Sequence, residues 1–219
     1  MIYLNRIIII VFSSMAISCN DIANIKDKDQ LPQNSKVTEV ILIDSLGEIT
    51  FSVPSRYDTS FSWVHYSDCG KPCDEQKYRL QPKRLPVTKE TGWIWKDVLT
   101  DSIDRFTISH TRDFPFHDGD TTKNIIRHNQ LREQFKVSNQ NLSLIFDTIQ
   151  KVNDRYYSIF VMGKSDTVYS KKVLAVTTIK SNEIKLQYEL LTRKNDSLTI
   201  NFIKNSIDLI KTIRFSMGQ

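Results

Sequence analysis

The chain of 219 residues has no apolar run long enough to cross a bilayer: the stretch from Ile7 to Ile17 is interrupted by Ser13 and Ser14 and falls short of the ~20 residues a spanning helix needs. It has no GxSxG, no glycine-rich phosphate loop and no triad spacing, so neither acyl transfer nor nucleotide chemistry can be read from a motif. Nor does it have a CxxC pair or an HExxH pair, the spacings that would fix a metal geometry. The formal charge is +5, but the basic residues are spread along the chain rather than gathered into a stripe with aromatics between them. No nucleic-acid partner is expected. Cysteine is scarce, at three residues: Cys19, Cys69 and Cys73.

What is there begins at the amino terminus. Arg6 supplies a positive start, Ile7 to Phe12 form a short apolar run, and Ala16-Ile17-Ser18 leads into Cys19. This resembles a bacterial lipoprotein signal. The resemblance implies a signal peptide over residues 1–18, a cut between Ser18 and Cys19, and a lipid on the Cys19 thiol. Removing the signal takes away Arg6 and no acid, so +5 becomes +4. At about 0.8 kcal/mol per buried methylene one acyl chain binds a membrane only marginally, whereas two or three make a lasting anchor. The membrane is therefore an expected partner, and the bacterial cell envelope the expected location. Asn20 follows Cys19 where an Asp would imply retention at the inner membrane, so the resemblance points to the outer membrane. With Cys19 acylated, Cys69 and Cys73 remain as an even pair in an oxidising compartment.

Residues 19–36 are polar and broken by Pro32, without a period that could bury a face; they read as a flexible tether. A single α+β domain is expected over 37–219. Val37–Ile43 and Ile49–Val53 read as a hairpin turning at Gly47, and Phe61–Tyr66 and Phe106–His110 alternate like strands. Residues 67–92, with Cys69, Gly70, Pro72, Cys73, Pro82, Pro86 and Gly92, read as a loop-rich insertion. Asp120 or Thr121 can cap a central helix carrying Ile125, Ile126, Leu131 and Phe135. Strands over about 142–152, 155–163, 167–179 and 183–192, with short turn signals between them, predict an antiparallel meander. Asp196 or Ser197 then caps an amphipathic helix with Leu198, Phe202, Ile203, Ile207, Ile210 and Ile213 at helical spacing.

The fold class expected is α+β: a mainly antiparallel sheet ending in a meander, packed by the central helix and the C-terminal helix. A strand closing on Val-Pro (ITFSVP), a central helix, a long meander and a terminal helix running into Ile213-Arg214-Phe215 resemble the PsbP-like sandwich. That family includes bacterial lipoproteins and implies no single activity.

Several constellations could carry chemistry. Cys69-Gly70-Lys71-Pro72-Cys73 spaces its thiols by three residues, where redox dithiols of the thioredoxin kind have two. It reads as a structural disulfide closing a small loop. His65, four residues before Cys69, together with His110 and His117, is the candidate metal set, against which stand ordinary hydrogen-bonded or solvent-facing histidines. Trp93 and Trp95 would share one strand face and could stack a sugar or peptide; core packing is the commoner use. Asp-Ser/Thr triplets recur at Asp44, Asp101, Asp120, Asp147, Asp166 and Asp196. They resemble an O-glycosylation pattern of exported proteins, and the same dipeptides also mark turns and caps.

The sequence thus supports a lipid-anchored envelope protein with a non-catalytic binding or scaffolding domain, its ligand a protein or a glycan, with no cofactor expected. A redox or metal-dependent enzyme using Cys69 and Cys73 is the first alternative, and an immunity or inhibitor protein the second.

Overall fold

The computed structural model describes residues 34–43, 45–90, 102–111, 123–138, 142–164 and 167–216. Cys19, nearly all of the expected tether, Trp93, Trp95, His117, and the caps expected at Asp120 or Thr121 lie outside the described residues.

The first hairpin forms as its pattern demands. Strands β1 (Ser35–Leu42) and β2 (Gly47–Pro54) pair antiparallel from Leu42 opposite Gly47 to Ser35 opposite Pro54. Gly47 closes the turn at a φ of 96°, which favours a residue without a Cβ. Among the described residues seven further strands make a second, wholly antiparallel sheet: β3 (Thr59–His65), β4 (Glu75–Gln81), β5 (Ile103–Thr111), β6 (Ser143–Val152), β7 (Arg155–Lys164), β8 (Tyr169–Ile179) and β9 (Asn182–Thr192), in the order β3-β4-β5-β9-β8-β7-β6. A short β10 (Arg214–Ser216) returns to pair with β2. The described residues are thus of the α+β class, mostly antiparallel sheet with two α-helices, α1 (Ile125–Ser138) and α2 (Ser197–Ile210).

The two faces of the large sheet have different fates. On one face Phe106, Ile108, Ile159, Val173, Leu186 and Tyr188 are essentially inaccessible, and they form one core with Ile49, Phe51 and Val53 of β2 and Phe202, Leu209 and Ile210 of α2. Phe106 stacks on Tyr188 at 4.3 Å between ring centres and meets Phe51 at 5.1 Å. Asp196 caps α2 as expected, its side chain accepting from the Thr199 N–H at 3.0 Å. On the other face α1 sets Leu131 and Phe135 against Phe160, Met162, Leu174 and Val176, a smaller apolar cluster over β7 and β8.

Two expectations need correction. The segment read as a loop-rich insertion contains β4, an interior strand of the large sheet. Its sequence EQKYRLQ hides it, because Tyr78 and Leu80 face the core while charged Glu75, Lys77 and Arg79 take the alternate positions. In α1 the sheet-facing stripe runs through His128, Leu131 and Phe135 at spacings of three and four. Ile126 falls off that stripe and Ile125 sits in the first turn, and both are exposed.

Candidate functional site

The alternate positions of four adjacent strands converge on the face that α1 covers only in part. Register places Arg79 opposite Thr107, Thr107 opposite Gln187, and Gln187 opposite Leu174; the next row runs Lys77, Ser109, Lys185, Val176. Each row starts on a charged residue of β4 and ends on an apolar residue of β8, beneath the helix. The result is a cleft of about 450 Å³ floored by β4, β5, β9 and β8, with Leu131, Gln134 and Phe135 of α1 along one side. That size lies within the range of small-ligand sites.

Among the described residues six basic side chains and three carboxylates line the cleft. Glu189 receives Arg105 Nε at 2.5 Å and Lys172 at 3.4 Å, and Glu75 receives Lys185 at 2.9 Å and Lys77 at 3.4 Å. Arg127 is held by Glu183, whose oxygen accepts from Nε at 2.6 Å. Burial alone would raise the Glu189 carboxyl, yet Arg105 and Lys172 outweigh it and hold the group at about 2. Glu75 moves the same way: burial works against ionisation and is overcome by Lys185 and then Lys77. Arg79 moves down from the usual 12.5 to about 10, through burial first and then repulsion from Arg105. The field in the cleft is positive, so it stabilises anions.

Arg79 is the most deeply placed of these cations, at 2% exposure. Its Nε donates to Thr107 Oγ1 at 3.2 Å, its Nη1 donates to the Thr88 carbonyl at 2.8 Å, and its guanidinium lies over the Trp63 ring. Nη2 faces the Glu90 carboxylate at 3.8 Å, beyond hydrogen-bond reach.

The residues singled out from sequence are scattered by comparison. Phe61, Trp63 and His65 do share one face of β3, the cleft side, as their alternation implies; His65 Nδ1 donates to the Glu90 carbonyl at 2.9 Å. His110 is on the opposite face. His65 pairs with Glu75 and His110 with Gln76, neighbouring positions on β4, so the two imidazoles point to opposite sides of the sheet. His110 is buried in the core and stacked on Tyr78. Among the described residues no three His, Cys, Asp or Glu side chains are placed to hold a metal. Cys69 and Cys73 form a disulfide, with Cα atoms 5.8 Å apart, across a short 3-10 turn (Lys71–Cys73). Of the Asp-Ser/Thr triplets, Asp196 serves as a cap and Ser45 lies in a turn, while Asp147 sits inside β6.

Asp147 belongs to a cluster that sequence reading missed. The buried His128 Nε2 donates to it at 2.6 Å and Arg132 Nε at 2.8 Å, tying α1 to β6. Burial would raise its carboxyl, but the hydrogen bonds from Arg132 and His128 bring it below its ordinary value. The i, i+4 pair His128 and Arg132 on one helix face was the available signal.

No protein-family model and no curated protein matches the chain. Among solved structures the chain is similar to the solution structure of cyanobacterial PsbP (CyanoP) from Synechocystis sp. PCC 6803, with a TM-score of 0.44 and 10% identity, over 85% of this chain and 96% of that one. That likeness is slight, and the functional reading rests on the cleft.

Proposed function

We infer that the chain is a non-catalytic binding module of the bacterial cell envelope, tethered by lipid on Cys19 at the outer membrane, and that its ligand enters the charged cleft beneath α1. The carrying observation is the cleft itself: a concave site of about 450 Å³ whose polar groups converge from β4, β5, β9 and β8. The lining offers ammonium, guanidinium, amide and hydroxyl donors, the equipment of recognition. The sequence led to a protein or glycan ligand; a cleft of this size instead takes a small molecule, or a single group of a larger one. Support for binding over redox or metal chemistry comes from the pairing of Cys69 with Cys73 and from the placement of His65 and His110 on opposite faces.

Native mass spectrometry of the protein purified from its own cell envelope tests this reading. A bound mass is expected on the wild type and not on Arg105→Gln, and the released compound should be unchanged after incubation with fresh protein. Chemical conversion of that compound, or an equal bound mass on the variant, would sink it.

A further inference from the structure

We propose that the ligand of this cleft is a small organic anion, a carboxylate or phosphate joined to an apolar body. This rests on reading the cleft as the binding site and adds the chemistry of what it takes.

The first observation is the state of Glu90. Its carboxylate stands 3.6 Å from Lys77 Nζ, 3.8 Å from Arg79 Nη2 and 3.8 Å from Arg105 Nη2. It is close enough to feel three cations and too far to accept a hydrogen bond from any of them. Its side chain is 54% exposed, whereas the three cations are 13%, 3% and 15% exposed. A half-exposed acid at the cleft mouth thus stands in for an anion without fully satisfying its donors. Arg79 makes the strongest case. It is buried, it is repelled by Arg105, and its Nη2 has no hydrogen-bond partner among the described residues. A buried guanidinium left in that state is stabilised by any anion that can reach it in hydrogen-bond geometry.

The second observation is what lies beyond the cations. Going across the sheet from Arg79, the floor runs through Thr107 and Gln187 to Leu174, where Leu131 and Phe135 of α1 close the side. An anion seated at Lys77, Arg79 and Arg105 therefore projects the rest of its molecule toward an apolar wall. Inorganic phosphate would use half the site, and a neutral sugar would bring no charge to Arg79, whose Nη2 only faces Glu90 at 3.8 Å.

The test is titration calorimetry on the full lipidated chain held in phosphatidylcholine nanodiscs, with empty nanodiscs as the blank. Three probes separate head from body: butyl phosphate, inorganic phosphate and butanol. Butyl phosphate should bind on the order of tenfold more tightly than phosphate, and butanol should give no measurable heat. Glu90→Gln removes the internal competitor from an exposed position and should tighten butyl phosphate roughly threefold or more. Lys77→Gln and Arg105→Gln should each weaken it about tenfold, the first serving if loss of the Glu189 partner unfolds the second. Equal binding of phosphate and butyl phosphate, or an affinity unmoved by Glu90→Gln, overturns the proposal. Should the envelope-purified protein carry a neutral compound in the cleft, the binding-module reading survives and the organic anion does not.

Discussion

The guanidinium of Arg79 lies 4.6 Å from the centre of the Trp63 ring, and Trp63 is itself stacked on Phe61 at 5.5 Å. The edge of the large sheet therefore carries an aromatic pair that supports a buried cation from one side while the cleft opens on the other. Cation–π contact of this kind is strongest where water is excluded. It fixes the plane of the guanidinium, which in turn aims Nε at Thr107 and Nη1 at Thr88.

Replacing Arg79 should therefore cost more than a surface charge would. Arg79→Ala removes the stacking partner of Trp63 and leaves the Thr88 carbonyl without its donor. A loss of about 2–4 kcal/mol is expected in urea denaturation. Arg79→Lys should recover only part of it, because an ammonium cannot both stack flat and donate in two fixed directions. Equal unfolding midpoints for the lysine variant and the wild type would show that the fork geometry is immaterial.

Acid should weaken the fold through the same face of the sheet. The Glu189 carboxyl lies at about 2 in the folded chain against an ordinary 4.5, and Glu75 and Asp147 are lowered as well. A carboxyl depressed by folding adds stability that is complete above its unfolded value and is lost as the pH falls through its folded one. For Glu189 that window runs from about pH 4.5 down to about 2. The denaturation midpoint should fall across this range, and Glu189→Gln should flatten the decline while starting from a less stable protein at neutral pH. A midpoint independent of pH in that window would contradict the ion pairing with Arg105 and Lys172.

Helix α2 tests the packing of the main core. Its apolar stripe was legible in sequence, but the deepest apolar side chains are Phe202, Leu209 and Ile210, with Ile207 only partly buried. Ile210→Ala should cost about 2–5 kcal/mol and Ile207→Ala clearly less. The reverse order, read from thermal or urea unfolding, would mean that the helix is rotated about its axis.

That difference shows where sequence reading stops. The meander of β6 to β9 was readable almost to the residue, because its strands are long and β-rich and its tight turns fall at Asn153 and at Lys180-Ser181, which adopt positive φ. The strand β4 was not, since a strand with one face in a charged cleft has too few apolar residues to register as a period. The cleft itself is a product of register. Arg79, Arg105 and Glu189 lie on three different strands, and pairing of β4 with β5 and of β5 with β9 brings them together. No local spacing announces them. The alternation Glu183, Lys185, Gln187, Glu189 on β9 was the nearest hint, marking a strand with one polar, mostly charged face.

The cysteines give the last prediction, and they join the two ends of the functional reading. The chain has three: Cys69 and Cys73 are joined, and Cys19 is proposed to carry lipid. The mature protein should then present no thiol to an alkylating reagent even when unfolded, and two after reduction. Three alkylated sites on reduction would mean that Cys19 is not acylated. A reactive thiol before reduction would mean that the pair is open and would restore the redox alternative. Replacing both Cys69 and Cys73 by Ser should cost at most about 2 kcal/mol, because the gain from a cross-link grows with the loop it closes and this one is short. The hydrogen bond from the Ser67 N–H to the Asp74 carboxylate at 2.9 Å spans the same loop and keeps it closed when the bridge is gone. Unfolding of the whole domain on that double substitution would show that the bridge holds more than its own loop.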